Sequence, residues 1–178
     1  MHLYVARHGQ TIWNAENKVS GLTDIALNDA GIKQAVLLAE YIKDKNIVLD
    51  FIIASPLKRA LQTAEIIGQV NSVDVITDNR LIEQNYGIYE GVDRLNQDFQ
   101  NNKRHFAFRY PGGESMLQVA YRVYGFLEEL NEKYGDKKIL LVSHGGTLRV
   151  INTYFEDVTN EEFYHWKTDN TQLREYRL

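Results

Sequence analysis

Two arginines and two histidines lie in three charged motifs that stand where apolar runs end in this 178-residue chain. Arg7 and His8 lie in ARHGQTIWN, Arg59 in ASPLKRALQTAE and His144 in SHGGTLR. A guanidinium is a permanently charged planar donor matched to phosphate oxygens, and an imidazole can be neutral near pH 7. Together the four describe a phosphate pocket that contains a nitrogen nucleophile. A neutral imidazole can attack phosphorus if its other nitrogen donates to a backbone carbonyl, a bond that fixes the tautomer and aims the reactive lone pair. His8 is the candidate, and Gly9 beside it is expected to let substrate come close. Arg7, Arg59 and a protonated His144 would supply the oriented positive donors that a transferring phosphoryl group needs. Glu83, in RLIEQNYGIYEG, follows a predicted strand and precedes a glycine turn; it is the candidate general acid for the leaving oxygen, and the same carboxylate would then activate water. That role requires it to hold a proton when an anion occupies the site.

Each of these residues is ordinary alone. A lone histidine after a strand is more often structural, Arg59 by itself is a solvated helix residue, and Glu83 is a loop carboxylate. Their conjunction carries the reading. His2, His105 and His165 lack comparable partners and read as surface or helix residues, with His105 placed where a cap could bring it to substrate. Glu90 reads as structural. Lys103, Arg104 and Arg109 have the look of a wet helical face, although Arg94, Lys103 and Arg104 could instead take a second anion. No P-loop, paired aspartates or EF-hand spacing occurs, so no metal or cofactor is expected. A metal site made of His8, His144 and Glu83 ranks low, because two neighbouring arginines would repel a cation.

The elements that must bring these residues together are legible from periodicity. Short apolar runs at 3–6, 51–54 and 139–142 read as buried parallel strands, and 73–76 as a fourth. Ser55 is placed to cap a helix with Pro56 at its first position. Asn28 to Lys43 puts Ala35, Leu38, Ala39 and Ile42 on one helical face, and Ser115 to Tyr134 puts Val119, Val123, Phe126, Leu127 and Leu130 on another, with Gly135 placed to end it. Thr159 and Glu162 have capping-box spacing, and TQLREYRL reads as an edge strand. The alternation predicts an α/β fold, a three-layer α/β/α arrangement on a mostly parallel sheet. Residues 92–110, polar and aromatic without a clean period, read as a small inserted helical cap. In open α/β sheets ligands bind beyond the carboxyl ends of the strands, so the loops holding Arg7, His8, Arg59 and His144 should converge there.

Composition narrows the chemistry further. The length fits one domain over 1–178. The absence of cysteine excludes disulfides, thiolate nucleophiles and cysteine-ligated metals. A net charge of −4 gives no general attraction to nucleic acid or membrane, so neither is an expected partner. The start Met1-His2-Leu3-Tyr4-Val5 lacks the pattern of a secretory signal, which predicts a cytoplasmic protein. Its expected partner is a small phosphorylated metabolite, and its expected state is monomer or homodimer.

ARHGQTIWN, SPLKRALQTAE, LIEQNYGIYEG, PGGES and VSHGGTLR, in that order, resemble the motifs of the histidine phosphatase superfamily, or phosphoglycerate mutase-like family, over essentially the whole chain. The resemblance implies a phosphoglycerate mutase-like fold, His8 as phosphorylated nucleophile, Arg7, Arg59 and His144 as phosphate ligands, and Glu83 as proton donor. It further implies supporting contacts from Asn14, Ser20 and Gly21, with Gly145 in the phosphate-binding set. The short connection from Gly91 to PGGES is similar to the family's phosphatases, so metal-independent hydrolysis through a phosphohistidine is the expected activity. Tyr86 is mutase-like, which keeps a 2,3-bisphosphoglycerate-dependent mutase as the alternative. A non-catalytic phosphate-binding module is the third reading.

Overall fold

The protein is described here by a computed structural model covering residues 2–177. Its first strand, β1 (His2–Arg7), buries Leu3 and Val5 on one face and Tyr4 and Ala6 on the other. A strand covered on both faces has to be apolar at successive positions, which is why the run is continuous rather than alternating. A single turn, α1 (Ile12–Ala15), then leads to α2 (Asp29–Asp44), β2 (Phe51–Ala54), α3 (Lys58–Asn71) and β3 (Val75–Thr77). The cap helix α4 (Gln97–Lys103) and the long α5 (Met116–Tyr134) precede β4 (Lys138–Ser143) and α6 (Gly145–Phe155). The chain closes with α7 (Asn160–His165) and β5 (Leu173–Arg177).

The strands lie in the order β3-β2-β4-β1-β5, the first four parallel and β5 antiparallel at the edge. One face packs on α5 and α6 through Val123, Leu127 and Leu148, and the other on α2 and α3 through Leu38, Ile42 and Ile67, which gives the expected three layers. Register matters for the site. Arg7 on β1 is level with Ser143 on β4, and Ala54 on β2 is level with Val142, so the residues that follow these three strands emerge side by side. Among the described residues no helix is long and apolar enough to cross a membrane.

Several local expectations shift. Helix α3 starts at Lys58, not at Pro56, and its N-cap is Leu57; Ser55 does not cap it with a helical N–H but turns to His144. The helix's leading N–H, on Lys58, is taken by Asp24 from another loop at 2.7 Å. β3 pairs from Val75 rather than Val73, because the Val73 N–H closes the end of α3 on Gly68 O and Ser72 adopts a left-handed conformation (φ 55°). The capping boxes of α5 (Ser115 with Gln118) and α7 (Thr159 with Glu162) form, and Asn28 caps α2. The 92–110 insertion carries α4 and rests on a separate small core of Val19, Phe99 and Tyr110, where the Phe99 ring lies 5.5 Å from Tyr86 and 5.9 Å from Tyr110.

Gly9 has a different purpose from the one expected of it. A Cβ there would fall 2.4 Å from Gly31 O, and a Cβ on Gly31 would fall 2.1 Å from Gln10 O. The loop after β1 therefore packs backbone to backbone on the first turn of α2, and the space beside Gly9 belongs to that helix rather than to a ligand. Helix propensity alone would favour Gly31→Ala by about 1 kcal/mol. The contact reverses the sign: the substitution should destabilise the fold by roughly 1–3 kcal/mol. Urea unfolding checks this, and an unchanged or higher midpoint would refute the packing argument.

Candidate active site

Beyond β1, the His8 N–H donates to Ser143 O at 3.0 Å, continuing the β1–β4 pairing by one residue. The loop at 168–171 braces the same corner: Asn170 donates to His8 O at 2.7 Å, the Thr171 N–H to Arg7 O at 2.9 Å, and Arg7 itself to Thr168 O at 2.8 Å. The His8 ring is buried, and its Nδ1 lies 2.7 Å from Gly9 O. A carbonyl can only accept, so Nδ1 carries the proton and Nε2 presents a lone pair. Gly9 is held in turn, its N–H donating to Thr63 Oγ1 at 3.0 Å while the Thr63 hydroxyl donates to Arg59 O at 2.7 Å.

Arg59 is fully buried without an ion-pair partner among the described residues. Its guanidinium donates to Gly21 O at 2.7 Å, Thr23 O at 2.9 Å and His144 Nδ1 at 3.2 Å. Charge-assisted bonds of roughly 1.5–3 kcal/mol each offset much of the cost of burying the cation. The two terminal nitrogens each spend one hydrogen on a carbonyl and keep a second. The loop that supplies those carbonyls is clamped by Glu90, which accepts from the N–H groups of Leu22 and Thr23, each at 2.7 Å, and from the Thr23 hydroxyl. Gly21 sits against this carboxylate at φ 47°, where a Cβ would collide with it.

His144 lies just after β4 as the N-cap of α6, its ring centroid 5.1 Å from that of His8. Because Nδ1 accepts from Arg59, Nε2 carries the hydrogen and donates to Ser55 Oγ at 2.8 Å. Burial, then Arg59 and Arg7, push the His8 imidazole well below its ordinary value; burial, Arg59 and His8 do the same to His144. The protonated His144 expected from sequence is thus a neutral donor–acceptor link here. Arg7 is lowered to about 10 by burial and Arg94, which leaves it charged at neutral pH.

Glu83 reaches the first turn of α6. Its Oε1 accepts from the N–H groups of Gln84 at 2.8 Å and Thr147 at 3.1 Å, and Oε2 from Gly146 at 3.0 Å. Gly146 has to lack a side chain, since a Cβ would come within 2.6 Å of Glu83 Oε1 and 3.0 Å of the Tyr86 hydroxyl. Of the supporting residues, Ser20 is buried with no partner on its hydroxyl, and Gly145 lies beside Arg7, its Cβ position 3.8 Å from Arg7 Nε. Arg7 Nε is likewise shut from solvent and unpartnered. Asn14 stands on α1, where its side-chain oxygen is committed to the Thr11 N–H, leaving only its amide hydrogens for a ligand. The alternative metal site does not assemble: among the described residues no three His, Asp or Glu side chains gather to hold an ion. His105 is exposed, and His2 and His165 pair with Glu175 and Glu161.

The arrangement is a cup of fixed cations around a buried imidazole with a free lone pair, bordered by a carboxyl group. Residues 3–178 match the profile of the histidine phosphatase superfamily (branch 1). The chain belongs to that superfamily. It is 37% identical over 149 residues to the uncharacterized phosphatase PhoE of Bacillus subtilis (strain 168), covering 84% of this chain and 74% of that one. It is 36% identical over 155 residues to a probable phosphoglycerate mutase, GpmB, of Yersinia pestis (strain Pestoides F), covering 83% and 71%. Among solved structures, a phosphoserine phosphatase from Entamoeba histolytica in complex with 3-phosphoglyceric acid superimposes with a TM-score of 0.83 at 29% identity, covering 98% of this chain and 89% of that one.

For this superfamily member, Thr63, Ser55 and Glu90 are the site residues that sequence reasoning passed over or gave no part in positioning the site. Thr63 follows Arg59 by one helical turn, which is the only sequence signal of its role. Two outcomes follow from the geometry. In the unfolded chain both imidazoles take up protons near pH 6.5, whereas in the folded protein they do so only well below it. Stability from the two histidines is therefore present above about pH 6.5 and lost as pH falls below it. The urea midpoint should be lower at pH 5.5 than at pH 7.5, and His8→Ala should shrink the difference; an equal drop in the variant would contradict the shifts. Separately, Thr63→Val should lower kcat on the order of tenfold or more with little change in KM, since it loosens Gly9 without touching the cup; a change in KM alone would contradict this.

Proposed function

We propose that the protein is a metal-independent phosphomonoesterase that works through a phosphorylated His8. The observation that carries the reading is the 2.7 Å bond from His8 Nδ1 to Gly9 O, which leaves Nε2 as the nitrogen facing the cationic cup. Nε2 attacks phosphorus, the bond to the leaving oxygen breaks, and that oxygen takes a proton from Glu83. Glu83 is held for this transfer by the N–H groups of Gln84 and Thr147 on Oε1 and of Gly146 on Oε2. In the second half, a water gives its proton to Glu83 and its oxygen to phosphorus; the P–N bond breaks and His8 returns to its neutral tautomer. Arg7, Arg59, Ser20 and the Gly145 region bind the phosphoryl oxygens, and His144 adds a neutral hydrogen-bonding group. These donors are already oriented, so stabilising the spreading charge needs little reorganisation.

The superfamily membership and the phosphatase-named relatives support hydrolysis. A second reading, phosphoglycerate mutase, is favoured by Tyr86, which sits against Glu83 and Gly146, and by the mutase-named relative. The two differ in whether the phosphoenzyme meets water or returns its phosphoryl group to a product. Rapid quench with a 32P-labelled phosphomonoester should trap acid-labile label on the wild type and none on His8→Ala. With 3-phosphoglycerate and 2,3-bisphosphoglycerate, inorganic phosphate should accumulate without 2-phosphoglycerate. Label persisting in His8→Ala would refute the nucleophile, and 2-phosphoglycerate as the main product would establish the mutase.

A further inference from the structure

Glu83 stands on a segment that belongs to no strand and no helix, preceded only by a 3-10 turn at Asn79–Leu81. Such a segment has no ladder of its own to hold it in place. Side chains supply the missing donors. Ser143 donates to Leu81 O and Thr147 to Ile82 O, each at 2.7 Å. Arg122, in the second turn of α5, takes the carbonyls on either side of these, its Nη1 donating to Arg80 O at 2.5 Å and its Nη2 to Glu83 O at 3.2 Å.

Arg122 is itself seated by Glu114, from the PGGES motif that leads into α5. Glu114 Oε1 lies 3.4 Å from Arg122 Nε, and Oε2 lies 3.5 Å from Nη2. The same carboxylate accepts the Asn85 N–H at 2.9 Å, the Glu114 N–H donates to Asn85 O at 2.8 Å, and the Gln84 side-chain amide donates to Glu114 O at 3.1 Å. A Cβ on Gly113 would fall 2.3 Å from Asn85 O, so the motif packs backbone to backbone on the segment that carries Glu83. A partly exposed ion pair at such distances contributes little by itself. The planar fork of a guanidinium, however, reaches two carbonyls and a carboxylate at once, which a point charge cannot do. The Glu83 carboxyl meets the first turn of α6 only while its own backbone stays in place, and a misplacement of about 1 Å can cost on the order of a hundredfold in rate.

We propose that Arg122, seated by Glu114, is a positioning residue for proton transfer by Glu83, fixing the backbone from which that carboxyl reaches the leaving oxygen. The proposal rests on the hydrolase reading above. It is tested with two esters of similar shape that differ in their need for a proton. In both, the bond from phosphorus to the phenolic oxygen breaks; the oxygen of phenyl phosphate takes the Glu83 proton, whereas 2,4-dinitrophenyl phosphate releases a phenolate that is stable without one. Glu83→Gln removes the acid and sets the pattern: kcat/KM should fall about 100-fold or more for phenyl phosphate and far less for the dinitrophenyl ester. Arg122→Met should show the same selectivity, with a loss of about tenfold or more confined to phenyl phosphate. Arg122→Lys should do so too, because an ammonium lacks the fork; it keeps the stem and the charge, so it decides the matter where Arg122→Met does not fold. Equal losses on both esters, or no loss on either, in the Arg122 variants while Glu83→Gln is selective overturn the positioning role and leave the hydrolase reading standing. An unselective Glu83→Gln, or no label on His8, overturns both.

Discussion

One hydrogen bond, from the His8 Nδ1–H to the Gly9 carbonyl, decides which nitrogen of the buried imidazole is free. Everything around it follows from keeping that ring neutral, oriented and surrounded by positive charge. Burial and the two guanidiniums disfavour the imidazolium, so the ring keeps a lone pair for phosphorus at neutral pH. In the proposed reaction the same guanidiniums that disfavour protonation would attract the phosphoryl oxygens. On that proposal, nucleophile activation and anion binding are one electrostatic arrangement rather than two.

The fold builds this arrangement from sheet register. Parallel pairing brings the ends of β1, β2 and β4 level, and the residues just past them are His8, Ser55 and His144. Backbone contact between Gly9 and Gly31 seats the first loop on α2, and Thr63 ties that loop to the helix that bears Arg59. Glu90 holds the loop whose carbonyls receive Arg59, and the first turn of α6 receives Glu83. Each cation or carboxyl group in the cup is thus fixed by backbone donors or acceptors, which cannot rotate away when substrate arrives.

The strands were legible in the sequence because double-sided burial demands unbroken apolar runs, and the long helices because their core faces recur at helical spacing. What was not legible depends on partners distant in the chain. Ser55 has the local chemistry of a helix cap, but α3 takes Leu57 as its N-cap, and the Ser55 hydroxyl accepts from the Leu57 N–H at 3.3 Å and from His144, which lies just after β4. Gly9 reads as room for a ligand until α2 is seen to fill that room. His144 reads as a cation, but burial and the Arg59 guanidinium keep it neutral. The candidate site residues were readable as types; their charge states were not, because charge state belongs to the assembled cup.

The most direct measurement is the protonation pattern of His8 itself, read by 15N NMR of the imidazole nitrogens in the uniformly labelled protein at pH 7. Nδ1 should show the shift of a protonated nitrogen and Nε2 that of an unprotonated one. An imidazolium, or a proton on Nε2 with Nδ1 bare, would contradict the account.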